Sequence, residues 1–266
     1  MAANERLELI RVKVHRAKDH FHSLEAQIHA YLASNPYAIR TRRDPDTRRL
    51  IYFISSVQPT PPTVSAVLGD TIQNLRSALD HLAYQLVSIG IGKTPSSHVY
   101  FPIADDAAKY HEQRSKQVNG ARQEAISAID ALTPYRGAND TLWRLHKLNN
   151  VDKHRVLITA GSAFRSINVG SHLFREMQRQ DPRLAGIDAS QLSAFFRPAD
   201  RMFPLKAGDE LFIDGPDAVV NDQLQFRFDV AIGEPGIIVG ESVLEAVKPM
   251  VDLVDQIVSS FEPMLR

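Results

Sequence analysis

Around segment 68–86 the apolar residues fall at 64, 68, 72, 75, 79, 82, 86 and 89, alternating steps that only an α-helix keeps on one face. A second stripe, Ile10, Val14, Ala17, Phe21, Leu24, Ile28 and Tyr31, predicts an amphipathic helix over 4–33. Asn35-Pro36 ends it, because proline disfavours helical backbone in the residue before it. Residues 40–49 read as a basic turn, and 50–57, rich in aromatic and β-branched side chains, as a strand. Short helices are predicted over 105–117 and 121–132. A further helix, capped by Asn139 or Asp140, runs through LWRLHKLNNVDKHR.

From 156 the texture changes. Segments 156–164, 197–205, 210–213 and 224–232 read as strands between Gly, Pro and Asp turns, and DQLQFRFD alternates as a half-buried antiparallel strand does. A last helix is predicted over 241–264, with Pro249 as a place for a kink. Helices, then strands, then a helix imply an α+β fold. The expected organisation is a helical core over 1–155 with one early strand, a β-rich segment over 156–240, and a C-terminal helix over 241–266. That helix is expected to return to the bundle and make one integrated domain.

Composition narrows the function. Lys+Arg and Asp+Glu are both 31, so no global field recruits nucleic acid and any such contact must come from a local patch. The chain has no cysteine, which excludes disulfides, thiolate nucleophiles and Cys-ligated zinc. No stretch reads as a signal peptide or a membrane span, so a cytoplasmic protein with no membrane partner is expected.

The candidate chemistry lies on the 68–86 helix. Arg76, Asp80 and Tyr84 share one flank, while Asn74, His81 and Gln85 share the other, with Arg76 and His81 about 140° apart around the axis. A guanidinium suits an oxyanion and an imidazole suits proton transfer near neutrality, so Arg76 and His81 are candidate catalytic groups with Asp80 in support. The same residues also read as an i,i+4 Arg76–Asp80 pair with His81 at the helix boundary. In the helix after Asn139, Asp152 projects into the stripe of Leu142, Leu145, Leu148 and Val156. A carboxylate there is costly unless a cation meets it, so Asp152 is expected to face Arg76 or His81, with Arg155 a local alternative. Lys153 and His154 join Asn74, Asp152 and Arg155 as supporting residues.

The run GD-x4-NLRSALDHL from Gly69, the FPI at 101–103 and LHKLNNVDKHR resemble a large group of uncharacterised bacterial proteins with these blocks in the same order. The likeness covers roughly residues 30–160. More remotely, Arg76-x4-His81 resembles the R-x4–6-H motif of HEPN-domain ribonucleases. The resemblance implies a helical bundle that cleaves RNA without metal, dimerises to join two motifs, and recurs in toxin–antitoxin and phage-defence systems. RNA, a second copy of the chain, and an antitoxin or other partner protein are the partners it implies. Arg16–His22 and Arg165–His172 satisfy the same spacing.

Other features are weaker. His15, His22 and His29 form a seven-residue stripe, too widely spaced to share one ion along a helix, and no HExxH pattern is present. The arginines at 40, 42, 43, 48 and 49 suit phosphates or a solvated hairpin tip. No P-loop, GxGxxG or nucleophile elbow is present, and no cofactor or metal is expected. The leading expectation is a HEPN-like, metal-independent endoribonuclease. Its rivals are a non-catalytic protein in which Arg76, Asp80, His81 and Asp152 form a buried polar network, and a metal-dependent hydrolase using His81, His146 or His154 with a carboxylate.

Overall fold

A computed structural model describes residues 3–95, 98–154, 157–188, 192–197, 202–216 and 218–266. In chain order its elements are α1 (Ala3–Ala33), β1 (Tyr37–Arg43), β2 (Leu50–Val57), α2 (Pro62–Ile91), α3 (Ala107–Gln117), α4 (Gln123–Ala131) and α5 (Asp140–His154). There follow β3 (Ala160–Asn168), α6 (Gly170–Gln180), β4 (Phe195–Phe196), β5 (Glu210–Ile213), β6 (Gln225–Glu234), β7 (Ile238–Ser242) and α7 (Val243–Ser260). The fold is α+β, as the order of patterns implies. Among the described residues no helix is long and apolar enough to cross a membrane.

The chain forms two compact units. One comprises 1–27, 62–159 and 234–266; the other comprises 28–61 and 160–233. β1 and β2 go with the later strands instead of with the helices around them.

The helical unit is built on the two long stripes. Ile10, Val14, Ala17 and Leu24 of α1, and Val64, Leu68, Ile72, Leu75, Leu79 and Leu82 of α2, are completely buried. α2 starts with Pro62 at its first position, where the missing N–H costs nothing. It ends before Gly92, whose φ of 68° is the left-handed stop that favours glycine. α5 is capped by Asn139, whose Oδ1 accepts from the Leu142 N–H at 3.2 Å. Both α2 and α5 pack against α7.

The second unit contains an antiparallel sheet of order β1-β2-β5 and most of a sheet of order β4-β3-β6-β7. Its core gathers Ile54, Phe164, Ile167, Val169, Leu205 and Leu211. Several expectations change here. Residues 37–43 are a strand, because Tyr37, Ile39 and Thr41 alternate with Ala38, Arg40 and Arg42, whose chains stay at the surface. Arg43 donates to the carbonyls of Arg48, Pro216 and Ala218, and Arg42 pairs with Glu210. Residues 44–47 form the turn, held by Asp44 Oδ1. Residues 197–205 are not a strand where described, residues 198–201 lying outside the described set. Strand pairing with β3 falls instead to Phe195 and Phe196. α6 and β7 were not predicted.

Candidate functional site

On α2, Arg76 is buried at 5% exposure and Asp80 is four residues on, one turn up the same flank. Arg76 Nη2 lies 2.8 Å from Asp80 Oδ1 and donates to the Phe101 carbonyl at 2.8 Å. The Phe101 N–H donates to the same Asp80 oxygen at 2.9 Å. The triangle ties the segment around Phe101, itself completely buried, to the side of α2. Burial pushes the Arg76 guanidinium below its ordinary value and the Asp80 carboxyl above its own, and in each case the partner's charge opposes the shift. The pair is therefore a compensated ion pair, with Arg76 buried and Asp80 partly so.

α5 runs antiparallel to α2 at this junction: Asp152 meets Gly69, while His146 lies near enough to Arg76 for its charge to count. The His146 ring accepts at Nε2 from Asn150 Nδ2, 3.1 Å away, which assigns the proton to Nδ1. Burial, and then the Arg76 charge, pull the His146 pKa down to about 4, so the ring is neutral at physiological pH. Arg76 Nη1, His146 Nδ1 and Asn149 Oδ1 are buried without a hydrogen-bond partner. Asp105 closes the far side, accepting from Trp143 Nε1 at 2.9 Å and pairing with Lys147 at 2.6 Å.

The expected Asp152 contact is absent. Asp152 makes no ion pair or hydrogen bond among the described residues, and faces neither Arg76 nor His81. Its carboxylate sits on Gly69, where a Cβ would come within 2.3 Å of Oδ1. Burial and the like charge of Asp70 raise its pKa. The physical reason is its depth: Asp152 is half-buried at the rim of the α2–α5 contact, so solvent meets the charge that a core position would have required a cation to meet. Asn74 donates to the Asp70 carbonyl of its own helix at 2.8 Å. Lys153 is exposed and near enough to Asp80 and Asp152 to lower both. Arg155 and the side chain of His154 lie outside the described residues.

His81 stands apart. It is exposed on the flank of α2 that faces α1, where burial by its neighbours and then the charge of Lys13 lower its pKa. Arg76 and His81 thus do not converge on one ligand in a single chain; the helical offset of about 140° puts one inside and the other outside. Further along α2, Gln85 and Ser88 of that flank, with Tyr84 from between the two flanks, line a cleft of about 630 Å³. Arg6, Lys93, Arg122 and Arg266 help complete it, and no acidic side chain does among the described residues. Arg6, Lys93 and Arg266 have no ion-pair partner among the described residues, Arg6 Nε is buried without a hydrogen bond, and Arg122 reaches only Glu124 at 3.8 Å.

The remaining candidates are structural or solvated. His15, His22 and His29 are exposed, and no three His, Cys, Asp or Glu among the described residues are grouped to hold a metal. His172 is buried at 6%, its Nε2 2.9 Å from Asp214 and its Nδ1 3.2 Å from Asn221 Nδ2. Asn149 and the Phe101 backbone were not among the sequence-derived site residues, and His146 entered only as a candidate metal ligand, although the three resemblance blocks that contain them meet at this junction. The cationic cleft was also missed, since its members are scattered from Arg6 to Arg266. Compared with protein-family models, with curated proteins and with solved structures, the chain matches none.

Proposed function

We propose that the protein binds RNA in the cationic cleft of the helical unit and cleaves it as a HEPN-like, metal-independent endoribonuclease. The observation that carries the reading is the cleft itself: four basic side chains, no acidic side chain among the described lining residues, and an exposed His81 on the flank of α2 that leads to it. In a chain of zero net charge such a patch is the local field that phosphate binding requires. Tyr84, at 36% exposure, offers a ring for a base to stack on, and Gln85, Ser88 and Thr94 offer hydrogen bonds.

His81, with its lowered pKa, is a neutral base for the 2′-hydroxyl at physiological pH. The cleft cations take the oxyanion role first assigned to Arg76, which positions the helix and the Phe101 segment. Two copies related by a two-fold would join two His81 flanks. The test is incubation of mixed single-stranded RNA with the wild type, His81→Ala and Lys93→Glu/Arg122→Glu, with and without EDTA. Cleavage is expected to survive chelation, fall at least ~100-fold in His81→Ala, and require more RNA in the double variant. Wild-type protein that neither retains nor cleaves RNA at low salt defeats the reading.

A second reading is favoured by the Arg76–Asp80–Phe101 triangle, which ties the Phe101 segment to α2 as a structural network does. In it the protein is a non-catalytic interaction module, and RNA is retained without being cut.

A further inference from the structure

In the strand-containing unit, β1 is the outer strand of the sheet β1-β2-β5, so one backbone edge of Tyr37–Arg43 is unpaired. A trough follows this edge. Its first hollow, of about 440 Å³, is lined by Leu32, Tyr37, Ile39, Leu224, Phe226 and Phe228 among others. A second, of about 280 Å³, shares Ile39, Leu224 and Phe226 and continues to Arg40, Thr41, Val220 and Asp222. The hollows therefore succeed one another along β1 at the level of residues 37–39 and 39–41, a two-residue step of about 7 Å. The floor of the first hollow is apolar and aromatic, with Tyr37 stacked on Phe228 at 4.0 Å between ring centroids, while the second sets Ile39, Leu224, Phe226 and the 46% exposed Val220 beside the polar Thr41, Asn221 and Asp222.

The strand's charges are unequal. Arg42 is paired with Glu210 and Arg43 is spent on carbonyls, whereas Arg40 has no ion pair or hydrogen bond among the described residues. Two side-chain hollows at strand spacing beside an open edge are what an added strand requires: the backbone supplies hydrogen bonds and alternate side chains fill the hollows. A second copy of β1 is a poor occupant, because the antiparallel self-pairing that overlaps the whole strand sets Arg40 directly against Arg40.

We infer that this trough binds an extended segment of another protein, added as a strand on β1. The segment carries two apolar side chains separated by one acidic residue, the apolar pair filling the hollows and the carboxylate meeting Arg40. The site is independent of the RNA reading and lies in the other unit.

The test uses the full chain and an acetylated, amidated heptapeptide with leucine–glutamate–leucine at its centre, followed by fluorescence anisotropy and by amide shifts of Tyr37–Arg43. Saturable binding with shifts confined to β1, Thr41 and the 220–228 segment is expected. Replacing the central glutamate by lysine should weaken it about tenfold, and Arg40→Glu should reverse that preference. Arg40 is exposed, so the variant folds, which circular dichroism checks. No binding at millimolar peptide, unchanged affinity on charge reversal, or shifts elsewhere overturns the proposal. So does the trough taking decanoate while ignoring the peptide.

Discussion

On one flank of α2, Arg76 and Asp80 are sealed against Phe101, a cation and an anion cancelled within a single turn. On the other, His81 faces solvent beside Lys13 and leads to a cleft whose cations have almost no partners. The flanks differ in what answers each charge. A buried guanidinium must be answered by protein, and once answered it has little left to give a substrate. An exposed cation is answered by water, which a phosphate can replace. An Arg-x4-His spacing is therefore not a site by itself; the rotation of the helix decides which half reaches a ligand.

The sharpest way to break this contrast is Arg76→Met. It leaves Asp80 buried beside an unanswered Phe101 carbonyl and should cost about 3–5 kcal/mol in urea unfolding. His81→Ala should leave the midpoint unchanged. If both variants are equally stable, the two flanks are not distinct.

Next in size is the Gly69–Asp152 contact. Gly69→Ala should destabilise by about 1–3 kcal/mol in the wild type. In an Asp152→Ala background the same change should be neutral or stabilising, through alanine's better helix propensity. Additive effects would mean that the carboxylate does not rest on the glycine.

His146 offers a smaller, pH-dependent effect. Its folded pKa of about 4 lies below the ordinary 6.5, so the unfolded chain takes up the proton first as the solution is acidified. The contribution is complete above 6.5 and is lost as pH falls towards 4. His146→Leu should flatten that part of the stability curve between pH 7 and 4, and the wild-type ring should titrate near 4 by NMR.

The smallest shift is expected for Lys13→Gln. Removing that charge should raise the His81 pKa towards 6.5 and carry the acid limb of the proposed RNA cleavage upward with it. A limb that stays in place would mean that His81 is not the base.

What could be read in advance follows the same physics. Long apolar stripes fixed α1 and α2, and turn residues placed β2 and β5, because those signals are local. β1 was hidden by its arginines, which lie on the outward positions of an edge strand. In α6 a short amphipathic run sat among strand-like neighbours. The Arg76–Asp80 pair was legible as an i,i+4 spacing. Its third member was not, because a backbone group of Phe101 leaves no trace in a side-chain pattern. Asp152 was misjudged from its stripe alone, although Gly69, a glycine inside an otherwise good helix, marks where another chain comes close. The cleft cations come from four distant stretches and share nothing that a window can detect.

The hairpin β1–β2 has a consequence for synthesis. Its inner partner β5 starts at Glu210, about 150 residues after β2 ends, with Ile51 opposite Ile213. A growing chain must therefore carry β2 with one edge open while the segment through α5 is translated. Non-local pairing of this kind folds slowly, and an unpaired edge is a template for the wrong strand. The arginines of β1 repel copies of the same strand on its side of the hairpin. Nothing equivalent is spaced along Leu-Ile-Tyr-Phe-Ile at the start of β2. A ribosome stalled before residue 210 should therefore hold the most aggregation-prone form of this protein.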